Sequence, residues 1–262
     1  ATVGAYTQVD FWFDPTQPTM DIAHNPNGSF CAVEGLCSPD GHVMGRMGHA
    51  ERLLGGWHAE GETHIPAPVE STKPRMLTRK KDIEQVHMCL AFPGVEQDND
   101  ALYPISVMNN LFGGGMSSRL FQRIREEMGA AYSVYSFPST YTNCGTFTVY
   151  AGTSPETAQK VADELHNQIR LLRDSGVTQE EFDMAKEQLK VSYVLGLESS
   201  SSRMSAIGRS KLLRGRAVDP QDVIRKIEAV TKEDVDRAAH EMFSKPFSAS
   251  AVGRNVEGLK LM

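Results

Sequence analysis

Over residues 87–92, Met88, Leu90 and Phe92 alternate with His87, Cys89 and Ala91. A period of two puts the first set on one face of a half-buried strand. The same pattern returns over 146–152, where Phe147 and Val149 lie between Thr146, Thr148 and Tyr150, and further strands are expected near 132–139 and 248–252. Elsewhere the apolar spacing lengthens to the helical three or four residues. Helices are predicted over about 99–111 and 117–128, then from Ser154-Pro155 through Val161, Leu165, Ile169 and Leu172, since a cap residue followed by Pro suits a first turn. Thr178 with Glu181 three residues on marks a capping box. It opens a helix that carries Phe182, Ala185, Leu189 and Tyr193. Further helices are expected over about 200–214, 219–229 and 231–243, the last capped by Thr231. This order predicts an α+β fold: an antiparallel sheet with helices packed on one face.

The pattern breaks upstream of residue 75. LLGGWHAEGETHIPAPVESTKP (53–74) carries Gly55, Gly56, Gly61, Pro66, Pro68 and Pro74, residues that punctuate structure. The chain is therefore read as two parts, 1–54 and 55–262. At 262 residues it is long enough for one large domain, or one domain and a fragment. With 27 Lys and Arg against 33 Asp and Glu, the net charge of −6 lacks the basic footprint of a nucleic-acid binder. No apolar run approaches the roughly 20 residues that span a bilayer, and residues 1–10 lack the pattern of a secretory signal. The absence of an initiator Met suggests that the start is cut from something longer. Four cysteines without a C-x-x-C pair read as reduced thiols of a cytoplasmic protein.

The segment NNLFGGGMSSRLFQRIREEMGAAYSVYS (109–136) carries the chemistry. Gly113, Gly114 and Gly115 admit positive φ angles and a close approach by another chain, where one glycine would suffice to end a helix. At 100° per residue, Leu120, Phe121, Ile124 and Met128 share a face. Arg119 then points nearly opposite that face, Arg123 lies well off it, and Arg125 lies at its edge. A guanidinium in that place can be held by packing while its five donors stay available. Tyr132 follows seven residues later, where a strand packed beside the helix brings its hydroxyl near Arg125. Such a pair can donate to a carbonyl oxygen that acquires negative charge.

From about residue 56 to the end, the sequence resembles the C-terminal domain of the pitrilysin/insulinase family of zinc metallopeptidases, in the branch of bacterial members related to mitochondrial processing peptidase. The matching stretches are EQVHMCLAFPG (84–94), the 109–136 segment, YAGTSPE (150–156), VTQEEFDMAKEQLK (177–190) and LGLESSSSRMSAIGRS (195–210). The resemblance implies one of two homologous lobes that close around an extended peptide. The other lobe carries an H-x-x-E-H helix with zinc and a general base. This lobe supplies an Arg and a Tyr to the substrate carbonyl, matching Arg125 and Tyr132. The glycines at 113–115 correspond, more loosely, to a loop associated with peptide handling. None of the eight histidines forms such a zinc motif. His240-Glu241 lacks a second His four positions after the first, and His87 reads as a hydrogen-bonded strand residue. The metal expectation for this chain is accordingly none, with zinc implied on a partner lobe.

HNPNGSFCAVEGLCSPDGHVMGRMGHAER (24–52) resembles the C-terminal end of the glutaminase domain of phosphoribosylformylglycinamidine synthase. The resemblance implies a fragment of an α/β fold, with His49 as the general base and Glu51 as its orienting carboxylate. The nucleophilic Cys of that class lies upstream, and Cys31 and Cys37 stand in the wrong context to replace it. A base without its thiol performs no acyl transfer. The chain thus reads as a join of two partial genes, natural or artefactual, near residues 52–56.

Three functions follow. The first is the non-zinc lobe of a metalloendopeptidase, active only with a zinc-bearing lobe and an extended peptide substrate. The second is a non-catalytic peptide-binding or scaffold subunit that uses the Gly-rich loop and an exposed sheet edge. The third is a remnant glutamine amidotransferase of purine biosynthesis. A large apolar face on a lone lobe would also favour homo-oligomers; neither nucleic acid nor membrane is expected as a partner.

Overall fold

The computed structural model describes residues 73–262, together with three short strands near the start of the chain. The chain divides into two units, residues 1–62 and 63–262. In the first, β1 (Thr2–Ala5), β2 (Val33–Cys37) and β3 (Met44–Arg46) form an antiparallel sheet in that order.

The second unit is built on a five-stranded sheet. Its strands are β4 (Met76–Lys80), β5 (Val86–Pro93), β6 (Ala131–Thr140), β7 (Gly145–Thr153) and β8 (Ser248–Gly253), in the order β4-β8-β5-β7-β6. The period-two reading of β5 holds: Val86, Met88, Leu90 and Phe92 are buried and the residues between them are half-buried. Leu90 pairs with Val149 and Phe92 with Phe147, so one face of the sheet is continuously apolar. The expected antiparallel ladder holds for three of the four pairings, but β4 lies parallel to β8. β4 was not legible in the sequence because all five of its residues are exposed on a sheet edge, which leaves no alternation to read.

Six α-helices complete the unit: α1 (Leu102–Phe112), α2 (Ala158–Ser175), α3 (Gln179–Gly196), α4 (Ser200–Arg214), α5 (Pro220–Ala229) and α6 (Lys232–Phe243). α1, α2 and α6 pack on the apolar face. There Phe243 meets Phe92, Phe112 and Phe147, with ring centres 5.0, 5.6 and 5.8 Å away. The capping boxes at Thr178/Glu181 and Thr231/Asp234 form with both hydrogen bonds. Two starts differ from expectation. α1 begins three residues late because the Asn99 side chain accepts from the Ala101 amide and turns the chain first. α2 is entered through Thr157, after Ser154 and Pro155 have formed a turn.

The predicted helix over 117–128 departs most. Residues Phe121–Glu127 form a π-helix, in which Met128 donates to the Arg123 carbonyl five residues back at 3.1 Å. The turn is wider than an α-helical one, so angles counted at 100° per residue lose their phase beyond Phe121. Leu120 and Ile124 remain fully buried, while Phe121 and Met128 are half-buried. Gly129, at φ +56°, turns the chain from this helix into β6.

Candidate functional site

Three arginines project from the 117–128 segment, and their surroundings separate them. Arg119 does not point away from the protein as expected. Its Nε and Nη2 donate to the two carboxylate oxygens of Glu181 at 2.6 and 2.7 Å, and Nη2 also donates to the Gly176 carbonyl. Those contacts tie the segment to α3. Glu181 is consequently held at a pKa of about 2, chiefly by Arg119, with the Thr178 backbone assisting against the opposing effect of burial. Arg123 donates to Glu164 on α2 at 3.0 Å and to Glu127 at 2.6 Å. Arg125 alone of the three forms no hydrogen bond or ion pair among the described residues. Its guanidinium carbon lies 5.0 Å from the centre of the Phe121 ring, a cation–π distance. The half-buried ring holds the charged head while its N–H donors remain unspent.

Arg125 and Phe121 line a groove of about 250 Å³ with Gly113, Gly114 and Gly115, Met116, and Ser133, Val134 and Tyr135 of β6. The structure therefore brings Arg125 together with the glycine loop. Tyr132 is absent from this lining. It stands beside Ser133 at a bulge of β6, where Ala131 pairs with Thr153 and Ser133 with Gly152, so that Tyr132 is the extra residue. Bulges re-aim a side chain, and Tyr132 is 61% exposed. Ser133 and Tyr135 were missed in the sequence; only their alternation with buried Val134 hints that they face outward.

The glycines differ from the expectation as well. None of the three has a positive φ. A Cβ on Gly113 would lie 2.5 Å from the amide nitrogen and hydroxyl oxygen of Ser136. The close approach is thus made by the protein's own β6, whose Ser136 amide donates to the Gly113 carbonyl at 3.1 Å. At Gly114 a Cβ would lie 2.8 Å from the Asn110 Cα, whereas at Gly115 it would meet nothing within 4 Å. The fold therefore demands glycine at 113 and 114 and leaves 115 unexplained. The same Ser136 bond blunts the edge of the sheet. Outward amides recur at every second residue of β6; Ser136 is occupied, and Pro138, two residues on, has no N–H.

On the sheet face opposite the helices, Tyr135 stacks on Tyr150 with ring centres 4.7 Å apart, and the Tyr150 hydroxyl lies 2.6 Å from His87 Nδ1. His87 is thus the hydrogen-bonded strand residue anticipated. Burial pushes the Cys89 thiol up, opposed by a hydrogen bond with Ser250, which makes it a poor nucleophile. No group of three or more His, Cys, Asp or Glu able to hold a metal occurs among the described residues. The described residues therefore offer no ligand set for zinc. His49 and Glu51 lie outside the described residues.

A family model, the peptidase M16 inactive domain, matches residues 48–189, which is more than half of the chain. The chain belongs to the peptidase M16 inactive-domain family. This M16 domain is 38% identical over 242 residues to an uncharacterized zinc protease of Bacillus subtilis, covering 92% of this chain and 55% of that protein. Among solved structures, it is similar to the peptidase M16 inactive domain from Pseudomonas fluorescens, with TM-score 0.65, 23% identity and 74% of this chain aligned to 48% of that one. It is also similar to a protease from Helicobacter pylori, with TM-score 0.63 and 21% identity over 74% of this chain and 48% of that one. The chain thus spans about half the length of the relatives that it matches. A second model, a CobB/CobQ-like glutamine amidotransferase domain, matches residues 5–81 and overlaps the M16 match over 48–81. No helix among the described residues is long and apolar enough to cross a membrane.

Proposed function

We propose that this M16 domain, beginning near residue 55, is the non-zinc lobe of a two-lobe metalloendopeptidase. In this reading it binds an extended peptide along the 113–115 groove and supports the scissile carbonyl through Arg125 and Tyr132. The observation that carries the reading is the state of Arg125. Among three neighbouring arginines, two are consumed by carboxylates and the third stands unpaired on a groove, held by an aromatic ring. Donors fixed before the reaction stabilise a developing oxyanion without reorganisation. Zinc, held by the partner lobe, would supply the Lewis acid and the activated water; the histidines described in this chain do not form its ligand set. The exposed, bulged Tyr132 is free to meet a substrate that only a closed pair of lobes would enclose.

The test is reconstitution. The chain alone is expected to cleave no peptide, and addition of a zinc-bearing lobe to restore cleavage. Arg125→Ala is expected to lower the restored rate by about 10²–10³. Cleavage at the unsubstituted rate by the reconstituted Arg125→Ala protein would remove the assigned role. The blunted β6 edge argues against strand addition there by a scaffold subunit, and such a reading would now rest on Gly115 or on the exposed edge strand β4. Amidotransfer at His49 and Glu51 lacks its thiol and would need glutaminase turnover by the purified chain to revive it. The join near residue 54 is proposed as a fusion point, although the alignment with the Bacillus protein takes in residues on both sides of it.

A further inference from the structure

Between Ser200 and Arg216 the sequence carries five cations (Arg203, Arg209, Lys211, Arg214 and Arg216) and no acid, in a chain of net charge −6. This stretch is α4 and its exit. Arg203, Ile207, Ser210 and Arg214 recur at helical spacing and form one stripe, about 16 Å long at 1.5 Å per residue. The stripe forms one wall of a groove of about 430 Å³; Leu197 at the end of α3 and Val223 of α5 stand among the other walls. Arg214, at one end, is committed: its Nη2 donates to the Gln97 carbonyl and its Nε lies 3.0 Å from Asp98. The side chains of Arg203, at the other end, and of Arg209, farther along the same wall, form no ion pair or hydrogen bond among the described residues. Ile207 between them is 53% exposed. Val194 and Met204, each one residue from the groove-lining Tyr193 and Arg203, are exposed too.

We propose that the α4 groove is a docking surface for the zinc-bearing lobe, and that it receives an apolar segment of that lobe flanked by carboxylates. The inference rests on the pairing proposed above. Two observations select this occupant. About half of each relative lies outside the part that this chain matches, which is length enough for a second lobe. The groove's unpaired guanidiniums around an apolar middle call for acidic groups around an apolar contact.

The experiment titrates the full chain with the portion of the Bacillus subtilis zinc protease that this chain leaves unmatched, by calorimetry at low and physiological salt. Binding is expected, weakening as salt rises. Arg203→Glu and Ile207→Asp are each expected to weaken it about tenfold. Arg203→Lys should bind nearly as the parent does, and the distant reversal Arg170→Glu on α2 should bind unchanged. Both groove side chains are exposed, and unaltered circular dichroism would establish that the variants fold. No binding by the parent chain, or parent-like affinity in both Arg203→Glu and Ile207→Asp, would overturn the proposal. Arg125→Ala separates the two readings. If it binds normally but the complex cleaves at the parent rate, the catalytic role fails while the docking surface stands.

Discussion

At Gly113 a single methyl group would fall 2.5 Å from the Ser136 amide nitrogen, whereas two residues on, at Gly115, it would enter open space. Adjacent glycines in one motif therefore answer to different constraints. Gly113→Ala must push β6 away or break the bond between the Gly113 carbonyl and the Ser136 amide, and is expected to cost about 1–3 kcal/mol. Gly115→Ala, at an ordinary φ, is expected to be neutral or stabilising by up to about 1 kcal/mol, because it restricts the unfolded chain. Urea unfolding of both variants checks the contrast. Loss of peptide cleavage in the folded Gly115→Ala protein, once reconstituted, would assign its glycine to function. The triplet was visible in the sequence, but not which member the fold requires, since the constraint comes from a strand more than twenty residues away. Arg125 was likewise singled out in the sequence, but not for the feature that sets it apart in the structure. Its distinction from Arg119 and Arg123 rests on Glu181 and Glu164, carboxylates that sequence spacing does not place.

At the scale of elements, the segment that leads into and forms the π-helix is clamped at two points. Arg119 holds α3 through Glu181, and Arg123 holds α2 through Glu164. Burial pushes the Glu164 pKa up, but hydrogen bonds from Gln168 and Arg123 outweigh it and leave it lowered. Glu181 is also lowered, to about 2 against an ordinary 4.5. A carboxyl with a depressed folded pKa contributes stability that is fully present above its unfolded value and is lost as pH falls through the folded one. The contribution of Glu181 is therefore expected to fade between about pH 4.5 and pH 2. Glu181→Gln should flatten that part of the profile of urea midpoint against pH. At neutral pH it should cost about 1 kcal/mol, because the pair is partly open to solvent. An unchanged acid slope in the variant would show that Arg119 does not hold this carboxylate. The capping box of α3 could be read from Thr178 and Glu181 directly, since its two partners are three residues apart. The second task of Glu181, gripping a helix 62 residues away, could not.

Across the whole molecule, the helical layer and the sheet meet at Phe243, which touches an aromatic ring from β5, one from α1 and one from β7. It is 4% exposed. Phe243→Ala should cost about 3–5 kcal/mol, because it leaves a cavity among groups from three elements that cannot all collapse into it. Thermal unfolding followed by calorimetry measures this. A loss below about 1 kcal/mol would mean that the helices do not depend on this contact.

Residues that repeat at two or at three to four positions, with caps three residues apart, determined by themselves the α+β class, all six α-helices of the described residues, four of them to within a residue of their starts, and four of the five strands of the larger sheet. Each of those signals is local: alternation, helical spacing and capping act within a few bonds. The tertiary structure alone decided the parallel edge strand β4, the π-helix, the bulge at Tyr132 and the pairing that leaves Arg125 unmatched. Those features arise where distant segments compete for the same space or the same charge, and no short window of sequence contains both competitors.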